Sequence, residues 1–228
     1  MLPTARMFPS GSLNQAIESP PSLAIPFASV LNGSPYCSNV TPFAVSSSTV
    51  ASTSSTVQPA SVAPDVPASK NEAKRTALAL QDTVPGVYAA GLLAPAARRF
   101  ANQLNENSKV VAFWGVMPEM NHNELVGWAG DDALDRFTAV FLRHADEHPQ
   151  AKARYEFTGK LVQERGGRLL QMEAKGATVA EKLLTSSMVG DAVSVYLAAL
   201  RKVDPTPVKV ITDLKAKVGE TGFAKAIK

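Results

Sequence analysis

From Val84 onward the sequence alternates short apolar runs with segments of helical period, and few folds satisfy that alternation. "VPGVYAA" (Val84 to Ala90) reads as a buried strand. The next segment, "GLLAPAARRFANQLNEN", places Leu92, Leu93, Ala96, Ala97, Phe100 and Leu104 at helical spacing. "KVVAFWGV" (Lys109 to Val116) reads as a second strand, and "FTAVFLR" (Phe137 to Arg143) as a third, continuously apolar as strands covered on both faces are. His148 and Pro149 can start a helix that Gly166 ends, because glycine takes the left-handed conformation at a helix terminus. "RLLQMEA" (Arg168 to Ala174) is the fourth strand. A long helix over about Thr178 to Lys202 has a broad apolar stripe of Leu183, Leu184, Met188, Ala192, Val195, Tyr196 and Ala199. A last helix restarts with Thr206 as N-cap and Pro207 at its first position, where a missing N–H costs nothing. Strand, helix, strand in turn implies an α/β fold with a doubly wound parallel sheet, functional residues lying outside the carboxyl ends of the strands.

The residues before this pattern are a different kind of polymer. Thirty of the first seventy are Ser, Thr or Pro, and only Arg6, Glu18, Asp65 and Lys70 are charged, whereas the remaining 158 hold the other 39 charges. Such a tract buries too little apolar surface to offset the entropy of ordering. Residues 1–70 are therefore expected to be a disordered low-complexity tract, and 71–228 the folded domain. The tract is Ser-rich and poor in acids, as transit peptides are, but it lacks their basic amphipathic pattern. A linker or tail is the preferred reading, with targeting or an aberrant start as alternatives.

Charge and composition exclude several functions. Acids and bases intermingle without long runs, so the net charge of +3 gives nucleic-acid binding little support. Cys37 is the only cysteine, which rules out an internal disulfide and fits a reducing compartment. No run is expected to approach the roughly 18 to 20 apolar residues of a membrane span. No glycine-rich nucleotide motif occurs. His144 and His148 have the spacing of a helical metal pair, but Pro149 puts them in a loop, so no metal site is expected.

The stretch "NENSKVVAFWGVMPEMNHNELVGW" (Asn105 to Trp128) carries the candidate chemistry. Glu106 and His122 bracket the second strand, one before it and one after. Glu106 ends a helix, where its charge faces the negative end of the helix dipole, a small cost that hints at use. The plainer readings are a solvent-facing glutamate and a helix-start histidine with Asn121 and Asn123 as caps. Trp114 and Trp128 read as packing residues beside the same loop.

These residues, with "YAAGLLAPAARRFANQLNENSK", "PEMNHNELVGW" and "GDAVSVYLAALRKVDPTPVKVITDLK", resemble the carboxy-terminal sugar-isomerase (SIS) domain of the bifunctional phosphoglucose/phosphomannose isomerases. The similarity runs from about Val84 to Lys217 with motifs in the same order. It implies that Glu106 is the base moving a proton between C2 and C1 of a hexose 6-phosphate through an enediol. It implies that His122 opens the sugar ring and reaches the site from a neighbouring subunit. A lysine near the carboxy terminus, most simply Lys215 with Lys209 and Lys217 nearby, would act at the ring oxygen. The route needs no metal or cofactor, and the resemblance implies a cytoplasmic homodimer of carbohydrate metabolism. The breadth of the long helix's stripe is a second reason to expect oligomerisation.

The same resemblance implies a first SIS domain holding the substrate's phosphate in a glycine-rich turn at a helix start. Before residue 84 the sequence offers only Gly11 and Gly33, without strand and helix around them. Phosphate binding energy normally positions the sugar, so the polypeptide by itself is expected to be inactive or feeble. The alternative is a non-catalytic module that binds a sugar phosphate or dimerises.

Overall fold

The computed structural model describes residues 59–130 and 134–221. Gly11, Gly33, Cys37 and the tract up to residue 58 lie outside the described residues. Four strands, β1 (Val84–Ala90), β2 (Phe113–Met117), β3 (Phe137–Arg143) and β4 (Arg168–Glu173), form one sheet in the order β2-β1-β3-β4. Every pairing is parallel. The helices are α1 (Glu72–Leu80), α2 (Ala94–Glu106), α3 (Glu124–Trp128), α4 (Pro149–Glu164), α5 (Val179–Leu200) and α6 (Lys209–Glu220). The expected doubly wound sheet is the one observed.

Alternation along the strands divides the core in two. Val87 and Ala89 of β1, with Val140 and Leu142 of β3, face Phe100 and Leu104 of α2, Leu80 of α1, and Val193 and Leu197 of α5. Tyr88 and Phe141 face the other way, into a cluster with Met120, Trp128, Tyr155 and Val162 from the α3 and α4 side. Each fully buried Leu, Val or Phe contributes about 1.5–3 kcal/mol relative to exposure, so both layers hold the sheet.

The folded unit starts earlier than composition indicates. Two 3-10 turns, Pro59–Val62 and Ala68–Lys70, precede α1. The Lys74 ammonium donates to the carbonyls of Pro64 (2.7 Å) and Val66 (2.8 Å), the Asn71 amide donates to Ala63 (3.1 Å), and the Tyr196 hydroxyl donates to Val62. Buried cations and phenols need such partners, and here the segment before α1 supplies them.

Two helix starts follow the sequence closely. His148 caps α4, its Nδ1 accepting the Gln150 N–H at 3.2 Å, with Pro149 in the first turn. Thr178 caps α5 through a capping box with Glu181. The start of α6 is displaced: Thr206 is not its N-cap, and the helix begins at Lys209. Instead the Thr206 N–H donates to Asp204 Oδ1, and the carbonyls of Pro205 and Pro207 turn toward the Lys109 ammonium.

The second strand is shorter than the expected run from Lys109. Lys109 has a left-handed backbone (φ 54°) and donates back to the Glu106 carbonyl at 2.6 Å, closing α2. Asn105 then holds Ala112 on both sides, its amide donating to the Ala112 carbonyl at 2.8 Å and its oxygen accepting the Ala112 N–H at 3.3 Å. Residues between are a pinned loop.

One expectation about α5 needs correction. The helix is long and apolar enough, by length and composition, to cross a membrane, although no such run was expected. More than half of it is buried, with Lys182 and Ser194 among the buried side chains, as befits a core helix. Leu184 of its broad stripe is 70% exposed, whereas Leu183, Ala192 and Tyr196 pack into the core shared with α1 and α2 of the same chain. Gly190 makes this possible, since a Cβ there would stand 2.9 Å from Phe100 Cγ.

Candidate active site

A crossover helix returns the chain from the carboxyl edge of the sheet to its amino edge. Over thirteen residues α2 covers about 18–20 Å, at ~1.5 Å per residue. Glu106, its last residue, therefore lies at the amino edge and not outside the carboxyl ends, where the general rule for such sheets places function. Its carboxylate is exposed and makes no hydrogen bond or ion pair with another described residue.

Glu106 ends a groove of about 610 Å³ between α2 and β2, lined also by Arg98, Asn102, Gln103, Trp114 and Val116. Arg98, Asn102 and Glu106 stand at i, i+4 and i+8, one face of the helix. The Arg98 guanidinium sits over the Trp114 indole, 5.6 Å from the ring centre. Arg99 is committed elsewhere: its guanidinium chelates Asp191 of α5, with its shortest bonds at 2.7 and 3.0 Å, and the Gln103 amide adds a further bond at 3.2 Å. That pairing raises the Arg99 pKa further, the hydrogen bonds to Asp191 being the main cause.

His122 lies at the other end of β2, just after the 3-10 turn Glu119–Asn121. Its side chain has no partner among the described residues. Asn121 and Asn123 do not cap α3 with their side chains; the Asn121 amide donates to Thr158 Oγ1 at 2.8 Å. Glu124, the third residue of the His-Asn-Glu motif, accepts the Tyr88 O–H at 2.8 Å, and Tyr88 Oη accepts the Trp128 indole N–H at 3.1 Å. Burial, then the Glu124 charge, pushes the Tyr88 phenol above its ordinary range, so it stays protonated and keeps donating. Trp128 is thus a buried packing residue, whereas Trp114 is half exposed in the groove.

Lys215 stands in the middle of α6, a helix with no buried residue. The linker into α6 is tied to the Glu106 corner by Lys109, which bonds the carbonyls of Glu106, Pro205 and Pro207. Of the three candidate lysines, Lys209 pairs with Asp213 at 2.6 Å and Lys217 with Glu220 at 2.7 Å. Lys215 has no partner among the described residues.

The crevice where the strand order reverses, between the carboxyl ends of β1 and β3, is the usual ligand position in such sheets. Here Tyr155 fills it. Its hydroxyl accepts the Ala90 N–H at 2.7 Å and donates to the Leu142 carbonyl at 2.8 Å. The ring packs on Phe141 and lies 4.5 Å beneath the Arg143 guanidinium, which Glu147 holds. Among the described residues no three His, Cys, Asp or Glu side chains converge as a metal site.

The sequence motifs named Glu106, His122 and Lys215. They did not reveal Arg98, Asn102 and Trp114, although the i, i+4, i+8 row was available as a signal. Whether that row faces a partner strand or solvent depends on β2 being an edge, which strand order decides.

Residues 69–218 match the family described as the bacterial phospho-glucose isomerase C-terminal SIS domain. A bifunctional phosphoglucose/phosphomannose isomerase of Caldicellulosiruptor bescii is 36% identical over 159 residues, 69% of this chain and 47% of the relative. The enzyme of the same name from Aquifex aeolicus is 32% identical over 149 residues, 65% of this chain and 47% of the relative. The chain thus spans about half the length of the curated relatives it matches. A glucose-6-phosphate isomerase like protein from Thermus thermophilus superposes with a TM-score of 0.53 at 23% identity, covering 64% of this chain and 47% of that one, which shows the fold.

Proposed function

The chain belongs to the bacterial phosphoglucose isomerase C-terminal SIS domain family, and from that premise we propose that it supplies the proton-transfer half of an aldose-ketose isomerase for hexose 6-phosphates. Glu106 takes the C2 proton of the open-chain aldose and returns it to C1 of the enediol. His122 moves the ring-opening proton between the ring oxygen and the C1 hydroxyl, since an imidazole nitrogen can either donate or accept it. Lys215 faces the ring oxygen side. On this reading the protein interconverts glucose 6-phosphate and mannose 6-phosphate with fructose 6-phosphate in cytoplasmic carbohydrate metabolism.

The observation that carries the reading is the Glu106 carboxylate, unpaired among the described residues, at the end of a groove wide enough for a sugar phosphate. A general base must have its lone pairs available and be reachable by substrate. The groove lining contains no hydroxyl side chain and no glycine turn. The turn into α5 is no substitute, because the Glu181 carboxylate already accepts the N–H groups of Ala177 and Thr178, both at 2.8 Å. On this reading the phosphate cradle comes from other residues, and the 228-residue polypeptide alone is expected to turn over feebly.

One observation favours the second reading, a binding or dimerising module without catalysis: within one protomer Glu106 and His122 lie at opposite ends of β2. The test incubates purified chain with fructose 6-phosphate in deuterated water and follows exchange at C1 by NMR. Slow exchange that disappears in a folded Glu106→Gln variant is the expected result. Exchange unaffected by Glu106→Gln refutes the assignment, and tryptophan quenching by the sugar phosphate without any exchange establishes the module. Turnover at a normal isomerase rate overturns the expected impairment.

A further inference from the structure

The run Asn121, His122, Asn123, Glu124 divides by direction. Asn121 and Glu124 are hydrogen-bonded to the body of the domain, whereas His122 and Asn123 are exposed and their side chains have no partner among the described residues. The Asn121 amide donates at 2.8 Å to Thr158, a fully buried residue of α4. Glu124 reaches the other way, to β1, where its Oε2 accepts the Tyr88 O–H at 2.8 Å. His122 thus stands between two anchors on different elements, and its own N–H donates to the Glu119 carbonyl at 2.8 Å.

The β1 anchor dictates residues on two strands. Tyr88 lies across a pair of glycines: a Cβ on Gly86 would stand 2.9 Å from Tyr88 Oη, and one on Gly115 would stand 2.9 Å from Tyr88 Cε1. The Gly115 Cβ would also stand 2.8 Å from Glu124 Oε1, so the carboxylate too needs a bare backbone beneath it. The phenol has a single proton. The Trp128 indole N–H takes one of its acceptor positions at 3.1 Å and leaves the proton for Glu124, whose charge strengthens the bond. The first and last residues of α3 therefore converge on one oxygen. A five-residue helix is too short to be stable by itself. Packing alone would need only the buried Trp128; the Glu124 tie adds the angle at which the helix, and the turn before it, leave the sheet.

We propose that Tyr88 and Glu124 are positioning residues for His122, holding the turn that carries the imidazole in one orientation beyond the carboxyl end of β2 so that the ring-opening proton is passed from a fixed point. The ring-opening step rests on the isomerase reading; the fixation of His122 does not. Glu106, at the other end of β2, has no part in this network, and its proton transfer is expected to be independent of it.

The test uses the full chain and two substrates in deuterated water. Fructose 6-phosphate must open its ring before exchange at C1, whereas 5-deoxyfructose 6-phosphate lacks the hydroxyl that closes the ring and is always open. Tyr88→Phe and Glu124→Ala are expected to slow exchange about tenfold or more with the first substrate, the scale of a small misplacement of a reacting group, and less than about twofold with the second. Glu124→Gln keeps a carbonyl that can accept the phenol proton and is expected to recover most of the parent rate. Equal loss with both substrates, or no loss with the first, overturns the positioning role. A second readout needs no turnover. The Cε1–H resonance of His122, identified through His122→Ala among the three histidines, is expected to be one sharp line in the parent and to move or split in both variants. The lines of His144 and His148 are expected to stay in place and report an intact fold; if Tyr88→Phe does not fold, Glu124→Ala, at an exposed residue, carries the test. A His122 line unchanged in the folded variants overturns the proposal. A parent chain that exchanges neither substrate removes the isomerase reading, and the His122 line then decides the fixation by itself.

Discussion

Replacing Tyr155 by phenylalanine removes one oxygen from the crevice between β1 and β3, and the structure fixes what that oxygen does. It accepts the Ala90 N–H at 2.7 Å and donates to the Leu142 carbonyl at 2.8 Å. The phenylalanine ring keeps its packing on Phe141 and its place under Arg143, so the area term is close to zero. What is lost is two hydrogen bonds, each about 1 kcal/mol net, with a further penalty for a buried carbonyl left unpaired. The sum is about 2–3 kcal/mol. Burial keeps the Tyr155 phenol well above its ordinary pKa, so the donor is present throughout the working range and the loss is independent of pH near neutrality. At about 2–4 °C per kcal/mol for a chain of this size, the melting temperature should fall by about 5–10 °C. Urea unfolding followed by circular dichroism measures the free energy directly, since the midpoint moves while the slope stays constant. A change under about 0.5 kcal/mol, the scale of an uninvolved surface substitution, would refute the argument that Tyr155 closes the switch-point crevice.

Gly190→Ala should be destabilising by about 1–3 kcal/mol in the same assay, because the added methyl group meets Phe100 Cγ at 2.9 Å and overpacking outweighs the roughly 1 kcal/mol gain in helix propensity; a stabilised variant would show that α2 and α5 separate freely. Acid should also weaken the fold. The Asp146 pKa is lowered chiefly by its hydrogen bond from Lys182, and the Glu181 pKa by the N–H groups of Thr178 and Ala177. Both contributions are present above the ordinary carboxylate pKa of about 4 and are lost as pH falls through the lowered folded values. Melting temperature against pH should therefore decline below about pH 4, and Asp146→Asn should flatten the decline; an unchanged slope in that variant would contradict the assignment.

What the sequence made legible is local. β1 and β3 have the bounds their apolar runs indicate, and α4 starts where His148 and Pro149 place it, since such signals act within a turn; α5 starts at the expected Thr178, where the structure adds a capping box with Glu181. β2 starts later than the apolar run because "KVVA", though of strand composition, is converted by Asn105 and Lys109 to a pinned loop through contacts with Ala112 and with the linker before α6. The α6 start moved for the same reason, its prolyl carbonyls serving Lys109. At the candidate site, motifs identified Glu106, His122 and Lys215, but not that the first two stand at opposite ends of an exposed edge. That property belongs to strand order. The residues at Pro59–Lys70 show the converse: poor in large apolar groups, they fold because Lys74, Asn71 and Tyr196 need carbonyl partners.

The most direct measurement mixes two dead chains. Glu106→Gln and His122→Ala, each expected to be without hydrogen exchange alone, are co-expressed and assayed with fructose 6-phosphate. If each site draws one residue from each copy, every mixed dimer holds one intact site, and up to about a quarter of the parent chain's rate returns. A mixture no more active than the average of the two variants, or a parent chain with no exchange at all, would contradict the shared isomerase site.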